Sequence, residues 1–183
     1  MAWIAAKYVK EQFSLGIWFR TTETQKDKRL FNLNYDGGKS GLLFTALEGK
    51  VALGFRDDKG EYYRLEHEVS YNDNNWHFLL ATYNGKEFSL YMNGELVNMA
   101  ESTFAGFGTK ATDFGSYQGK SNFFTGELDE ASLWSSSLKL EDAKRLYNEG
   151  IPTKLHRDDL SEQLIKWWRM GDSAPKAFRG KVN

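Results

Sequence analysis

The sequence predicts an all-β protein, an antiparallel β-sandwich that carries one short helix near its C-terminal end. Most of the chain consists of short segments in which apolar and polar residues alternate, the two-residue period of strands with one buried face. The Asn-Gly dipeptides at 84–85 and 93–94 suit the positive φ angles of tight hairpin turns. Helical spacing is confined to one segment near residue 140, and the chain contains 2 prolines. Together these observations favour two packed antiparallel sheets.

The predicted strands follow one another along the chain, each separated from the next by a turn signal. In the first strand Phe13, Leu15, Ile17 and Phe19 occupy alternate positions and so share one face. The segment 58–60, Asp-Lys-Gly, has the composition of a hairpin turn. The later strands are predicted at 29–35, 41–47, 50–57, 61–69, 75–83, 86–92, 95–99, 113–117, 122–134 and 164–172.

The helix is predicted over about 140–149. Gly150 occupies the position after its last turn, and Pro152 prevents its continuation. Its apolar residues share one face and are Leu140, Ala143, Leu146 and Tyr147. We therefore expect the helix to pack against a sheet through this face.

The composition excludes several functional classes. The chain has 183 residues and a formal net charge of −1, so no basic field favours nucleic acid or an anionic membrane. Cysteine is absent, which excludes disulfides and thiolate metal sites. Residues 1–12 contain no apolar run long enough for a signal peptide or a membrane span. We predict an N-terminal arm or first strand at 1–12, one domain at 13–172 and a polar tail at 173–183.

Five motifs resemble those of laminin-G-like jelly-roll domains, and they occur in the order in which that family has them. They lie at 13–19, at 76–83, at 90–95, at 126–134 and at 138–148. The resemblance implies a concanavalin A-like jelly roll. It also implies that certain residues form the structural signature of the fold: Trp18, Trp76, Asn93, Gly94, Asp129, Glu130 and Trp134. We expect the tryptophans, with Trp167 and Trp168, to pack in the core or on the sheets.

Two details qualify the resemblance. Lys139 stands where the family has a helix-capping Ser or Thr, so the preceding serines 135–137 are alternative caps and the start of the helix is left open. The ending 167–172 resembles a variant common in bacteriophage virion proteins. This implies a decoration or tail-fibre protein at the virion surface or outside the cell, made without a signal peptide. Its partners would be capsid or tail proteins, surface glycans, or other subunits of an oligomer.

The acidic segment 126–134, Gly-Glu-Leu-Asp-Glu-Ala-Ser-Leu-Trp, raises the question of catalysis. The β-glucanases of the superfamily place three acids at alternate strand positions, so that all three face one glycosidic bond. Here alternation gives Glu127 and Asp129 but then Ala131, and in a regular strand Glu130 points to the opposite face. A bulge could re-aim one side chain, but it would not supply a carboxylate at 131. We therefore predict no catalytic residues. We expect Asp129 and Glu130 to accept hydrogen bonds from neighbouring loop amides.

Metal binding has few candidate ligands. The three histidines, His67, His77 and His156, are not at metal-ligand spacing. Many relatives of laminin G domains bind calcium at the rim of the sandwich, and the resemblance leaves Asp36 and Asp113 as candidates here. The segment 117–122, where a pentraxin-like calcium loop would fall, contains no acid. We predict no cofactor, with calcium as the alternative.

Aromatic and amide side chains in the loops suit sugar binding, since sugars stack on aromatic rings and donate hydroxyl hydrogen bonds to amides and acids. The candidate ligand-binding residues are Tyr35, Asp36, Tyr71, Asn72, Tyr117, Gln118 and Asn122. The charged run 23–29 is interpreted as a solvated loop. Three hypotheses remain open: a non-enzymatic glycan-binding or adhesion module, a purely structural protein of a virion or an oligomer interface, and a glucanase.

Overall fold

Two antiparallel sheets packed face to face make up the protein. The computed structural model describes residues 11–33, 40–108, 112–152, 155 and 159–170. The strands are β1 Phe13–Arg20, β2 Lys28–Leu33, β3 Leu42–Leu47, β4 Lys50–Arg56, β5 Tyr62–Glu68, β6 His77–Tyr83, β7 Glu87–Met92, β8 Glu95–Glu101, β9 Asp113–Phe114, β10 Glu127–Trp134 and β11 Leu164–Trp168. The helix is α1 Leu140–Tyr147. The predicted sandwich with one short helix is confirmed.

The strand order places the two ends of the domain side by side. One sheet has six strands in the order β11-β10-β1-β6-β7-β8, and the other has five in the order β5-β4-β3-β2-β9. Every pairing is antiparallel. β1 lies between β6 and β10, so the first described strand is a central strand of its sheet. Residues 1–10 of the predicted arm and all of the predicted tail lie outside the described residues.

The inner faces of the two sheets form the main core. The alternation in β1 has the predicted consequence, since Phe13, Leu15, Ile17 and Phe19 are each at most 1% exposed. Phe55 of the second sheet stacks on Phe88 of the first, with ring centroids 3.8 Å apart. Burying a side chain of this size contributes about 1.5–3 kcal/mol before the loss of conformational entropy.

A second cluster covers the outer face of the six-stranded sheet. Trp18 and Trp134 are 2% and 1% exposed and pack there with Ala143 and Leu146 of α1. Trp76 and Trp167 are partly buried against the same cluster, and Trp168 is partly buried against the main core. A helix this short is marginally stable by itself, so its apolar contacts with the sheet stabilise it.

The ends of α1 differ from the prediction in two ways. The residue before the helix is Lys139, whose amide donates to the Asp142 carboxylate at 2.9 Å, so serines 135–137 do not cap it. At the other end Asn148 adopts the left-handed conformation with φ 43°. The helix therefore stops three residues before Gly150, which does not serve as its C-terminal cap. Asn tolerates this conformation better than most residues, because its short amide can bond locally.

The two Asn-Gly hairpins use different turns. Asn93 and Gly94 both have positive φ, 52° and 80°, as the predicted type I′ turn requires. At 84–85 only the glycine has positive φ. The side chain of Asn84 instead accepts hydrogen bonds from the amides of Lys86 and Glu87, both at 2.9 Å, which closes a longer loop. Among the described residues, no helix is long and apolar enough to cross a membrane.

Candidate functional site

Five connecting segments meet at one end of the sandwich, which we call the rim. β1 ends there and β6 begins there, since the two strands are antiparallel and Phe19 pairs with His77. β3 of the other sheet also ends there. The segments of the rim are 21–27, 48–49, 69–76, 93–94 and 122–126. Loops held together on a rigid scaffold are the usual place for ligand-binding residues.

The segment 21–27 joins the others and is not a freely solvated loop as predicted. The carboxamide of Gln25 donates to the Thr125 carbonyl at 2.8 Å and accepts from the Thr125 amide at 2.7 Å. Gln25 itself is 5% exposed. On the other side, the Asn72 carboxamide donates to the Thr24 hydroxyl at 3.0 Å. The segment therefore bridges the 69–76 and 122–126 segments and holds their side chains in fixed positions.

A shallow cavity of about 420 Å³ opens on the rim. Most of its lining residues have polar side chains; the residues are Thr24, Gly49, Glu68, Val69, Ser70, Tyr71 and Asn72. The Ser70 hydroxyl lies 3.5 Å from the Asn72 carboxamide oxygen, so the polar groups form one connected row with Thr24. Gly49 leaves one side open, since nothing lies within 4 Å of where its side chain would begin. Two of the predicted ligand-binding residues, Tyr71 and Asn72, are among the lining residues.

Tyr71 has a different role from the one predicted. It is 2% exposed, so its ring face is not available for a sugar to stack on. Its hydroxyl donates to the Leu47 carbonyl at 2.6 Å and accepts from the Gln25 amide at 3.2 Å. Burial raises the pKa of the Tyr71 phenol; the Gln25 hydrogen bond opposes this shift and the charge of Glu48 adds to it. Tyr71 therefore forms the rigid wall of the cavity rather than an aromatic platform.

The other predicted residues form a separate group beside β2. Tyr117 and Ser121 are bridged across a tight turn, within which the Gln118 carboxamide donates to the Tyr117 hydroxyl at 3.2 Å. Asn122 reaches the rim, where its carboxamide donates to the Asp27 carbonyl at 2.8 Å. Neither Tyr117 nor Gln118 lines the 420 Å³ cavity. Tyr35 and Asp36 lie outside the described residues.

Of the two predicted calcium candidates, Asp36 lies outside the described residues. Asp113, the other, lies on β9 opposite Asn32 and accepts a hydrogen bond from the Gln118 amide at 3.1 Å. Burial raises the pKa of its carboxyl, with the Gln118 amide opposing the shift. Within the ranges that the structure describes, no three acids or histidines are grouped to hold a metal ion. Calcium requires six to eight oxygen ligands.

The sequence model of the Laminin_G_3 family, described as the concanavalin A-like lectin/glucanases superfamily, matches residues 5–144. The chain belongs to this superfamily. All the residues of the structural signature, from Trp18 to Trp134, fall inside the matched range. No curated protein sequence matches the chain.

Solved structures share the concanavalin A-like fold of the chain. The receptor binding domain of botulinum neurotoxin D has a TM-score of 0.60 at 20% identity, over 79% of this chain and 38% of that one. A candidate carbohydrate binding protein from Bacteroides ovatus ATCC 8483 has a TM-score of 0.66 at 13% identity, over 89% and 46%. The binding domain of botulinum neurotoxin DC, in complex with SialylT, has a TM-score of 0.57 at 16% identity, over 80% and 37%. The chain spans less than half the length of each.

Because the superfamily includes glucanases, the direction in which the acids of β10 point bears on catalysis. The register of β10 against β1 jumps from Gly16–Ser132 to Trp18–Asp129, which is a β-bulge, and Glu130 has φ 49°. Leu128 and Ala131 point into the main core, so both intervening acids lie on the outer face. The prediction that Glu130 faces away from Asp129 is therefore wrong.

Each of these acids has a partner within the protein. Glu127 pairs with Arg20 at 2.6 Å. Asp129 accepts from the amides of Glu130 and Met170 at 2.8 and 3.1 Å, as predicted for loop amides. Glu130 differs from the prediction, since the indole N–H of Trp167 donates to its carboxylate. The bulge thus serves to attach the C-terminal strand β11.

Five residues of the cavity were not predicted: Thr24, Gly49, Glu68, Val69 and Ser70. They come from three connections that are distant in sequence, and none stands in a recognisable motif. A glycine between two strands, as at 48–49, indicates only a turn. Neighbouring Asn72 gave the one usable signal, since polar clusters next to an aromatic residue favour ligand binding.

Proposed function

We propose that the chain is a non-enzymatic carbohydrate-binding module and that the rim cavity is its binding site. The observation that carries the proposal is the row of hydroxyl and carboxamide groups formed by Thr24, Ser70 and Asn72 along one wall of the cavity. These groups can both donate and accept hydrogen bonds, as a sugar hydroxyl does. The Glu68 carboxylate adds an acceptor at the cavity edge.

The size and rigidity of the cavity support the proposal. Its volume of about 420 Å³ falls in the range of roughly 300–1,000 Å³ typical of small-molecule sites. The buried hydroxyl of Tyr71 and the carboxamide of Gln25 hold the surrounding segments in place. A preformed site binds with a smaller loss of conformational entropy. The similar folds of a neurotoxin receptor binding domain and a candidate carbohydrate binding protein agree with a binding role.

A carbohydrate array tests the proposal. The unmodified protein should show saturable binding to a subset of glycans, and Asn72→Ala should weaken it at least tenfold, the loss of about 1.4 kcal/mol. Asn98→Ala is the matched control, because it also removes a hydrogen-bonded carboxamide, one that donates to the Glu66 main-chain carbonyl, but on β8 and outside the cavity. The control should bind normally. Flat arrays for the unmodified protein would disprove the proposal and favour the purely structural alternative.

Absence of catalysis is part of the same proposal. The acids of β10 are engaged with Arg20, main-chain amides and Trp167, and the buried residue after them is Ala131. A retaining glycosidase needs two carboxyl groups that face one glycosidic bond. We expect no release of reducing sugar from β-glucans. Release that disappears in Glu127→Gln would establish the glucanase alternative.

The biological setting is a further proposal: a bacteriophage virion surface, where the module serves as a decoration or fibre component. The resemblance of the ending 167–172 to phage virion proteins supports it. Capsid or tail proteins, surface glycans and further copies of the chain would be the partners, and binding would not need a calcium ion. Purified particles should carry the protein, and chelation with EDTA should leave glycan binding unchanged. A strict monomer never found with particles would contradict this setting.

A further inference from the structure

Resting on the proposed function, we infer that the rim cavity selects glycans that lack carboxylate, sulfate or phosphate groups and binds those with a free amine most tightly. The inference names the ligand class of the site. It follows from the charges that the cavity and its surrounding segments carry.

The cavity wall has one ionisable side chain with a full charge, and it is an acid. Glu68 lines the cavity with a side chain that is 83% exposed, while the other six lining residues carry no cation. Sugar hydroxyls and ammonium groups can donate to this carboxylate. A second carboxylate, as in an acidic sugar, would be repelled by it.

Two cations of the neighbouring strands, Lys50 and Arg64, both pair with Glu66. The Lys50 ammonium lies 3.1 Å from Glu66 and 3.7 Å from Glu68, and Arg64 also pairs with Glu66 at 3.2 Å. The hydrogen bond with Glu66, with the charge of Glu68 adding to it, raises the pKa of Lys50. None of these cations lines the cavity. Glu68 thus shares Lys50 with Glu66, at the longer of the two distances, and its side chain is 83% exposed, so its carboxylate is also accessible to a ligand in the cavity.

The segments around the cavity carry the same sign of charge. Segments 21–27, 48–49 and 68–76 contain five carboxylates against one ammonium group, that of Lys26, so their formal net charge is −4 while that of the whole chain is −1. The carboxylates are Glu23, Asp27, Glu48, Glu68 and Asp73. Burial of Tyr71 is the main cause of the raised pKa of its phenol, and the negative charge of Glu48 raises that pKa further. The Glu48 charge is therefore felt at the cavity wall. These connecting segments are therefore acidic, whereas the strand ends that adjoin them carry the cations Arg20, Lys28 and Lys50.

The size of the effect can be anticipated from Coulomb's law. Two unit charges about 4 Å apart in water interact by an amount equivalent to about a fivefold change in affinity. An ammonium group beside Glu68 should gain about that factor over the neutral N-acetylated sugar, and an anionic group should lose it. Because the cavity is open to solvent, the preference should shrink as salt is added.

An array with matched glycan sets tests this selectivity. Each set holds a neutral glycan with its sialylated and sulfated forms, and chito-oligosaccharides are compared before and after N-acetylation. Binding of neutral and amine-bearing members, with anionic forms about fivefold weaker or more, is the expected result. Equal or tighter binding of the anionic forms would overturn the charge selectivity while leaving carbohydrate binding intact. Absence of binding to every member would instead disprove the proposed function.

Variants at Glu68 assign the selectivity to the cavity. Glu68→Gln keeps the shape and hydrogen-bonding capacity and should reduce the amine preference, and Glu68→Lys should favour the anionic forms. Glu101→Gln changes the net charge of the protein equally, but it lies at the end of β8 far from the rim and should keep the original order. If Glu68→Lys retains the original order of ligands, the inference fails.

Discussion

The hydroxyl of Tyr71 donates a hydrogen bond to the main-chain carbonyl of Leu47, with 2.6 Å between the two oxygens. The same hydroxyl accepts from the amide of Gln25. One phenol oxygen therefore connects the 69–76 segment to the end of β3 and to the 21–27 segment. The geometry of the cavity depends on this connection.

We predict that Tyr71→Phe destabilises the fold by about 1–3 kcal/mol, because the Gln25 amide and the Leu47 carbonyl both lose a buried partner. Equilibrium unfolding in urea measures the change. Tyr62→Phe is the control, since Tyr62 is 38% exposed and loss of its hydroxyl should cost less than about 0.5 kcal/mol. Equal stability of the two variants would show that Tyr71 does not hold the rim together.

Acid should weaken the rim through Asp73. Burial alone would raise its pKa, but hydrogen bonds from the Asn75 amide and carboxamide and from His77 outweigh burial and hold it at about 2. A pKa below the unfolded value of 3.8 means that the ionised acid stabilises the fold above pH 3.8, and that this contribution is lost as the pH falls toward 2. Asp73→Asn should therefore lose less stability than the unmodified protein between pH 5 and about pH 2. Parallel pH profiles would contradict the assignment.

Asp113 should show the opposite pH dependence. Burial raises the pKa of its carboxyl above the unfolded value, so its contribution to stability is present at low pH and is lost as the pH rises through the folded pKa. Its register partner Asn32 is fully buried, and the carboxamide oxygen of Asn32 has no hydrogen-bond partner among the described residues.

Asp113→Asn should therefore stabilise the protein at neutral pH by about 1 kcal/mol, since it removes a half-buried charge and offers the buried Asn32 carboxamide oxygen a donor. The gain should shrink in acid. Thermal unfolding at pH 4 and pH 7 measures it, with Asp113→Ala as the control that removes the charge without adding a donor. A variant less stable than the unmodified protein at pH 7 would contradict the prediction.

The turn at Gly94 is predicted to support the helix as well as the hairpin. Gly94 has φ 80°, and a side chain there would begin 3.1 Å from the Cα of Lys144 in α1. Gly94→Ala should therefore cost the strain of a left-handed alanine, about 1 kcal/mol, and in addition displace the helix. Gly60→Ala isolates the strain, because Gly60 has φ 88° and nothing within 4 Å. The difference in unfolding free energy between the variants measures the helix contact, and equal losses would show that the contact is unimportant.

Sequence patterns predicted the parts of the fold that depend on local periodicity. The alternation of Phe13 to Phe19 predicted a buried strand face, and Asn93-Gly94 predicted a tight turn, because each depends on neighbouring residues only. A bulge in 126–134 was considered but could not be predicted from the sequence, since glutamate has no preference for positive φ and the partners of Glu130, Trp167 and Arg169, come from the distant C-terminal segment.

The candidate site was predicted less completely than the fold. Asn72 was identified, but Thr24 and Gly49 come from other connections, and which loops converge depends on strand order rather than on any local pattern. Tyr71 was identified for the wrong reason. Its sequence neighbours are polar, as for an exposed aromatic residue, but the Leu47 carbonyl and the Gln25 main chain supply buried partners for its hydroxyl.

The position of β1 has a consequence for how the chain is made. β1 pairs with β6 on one side and with β10, more than a hundred residues later, on the other. During synthesis on the ribosome, β1 therefore cannot pair with β10 until most of the chain has been made. Such distant pairings slow folding and prolong the exposure of unpaired strand edges. A nascent chain stalled before residue 127 therefore presents an unpaired edge at β1, where chaperones or other copies can bind.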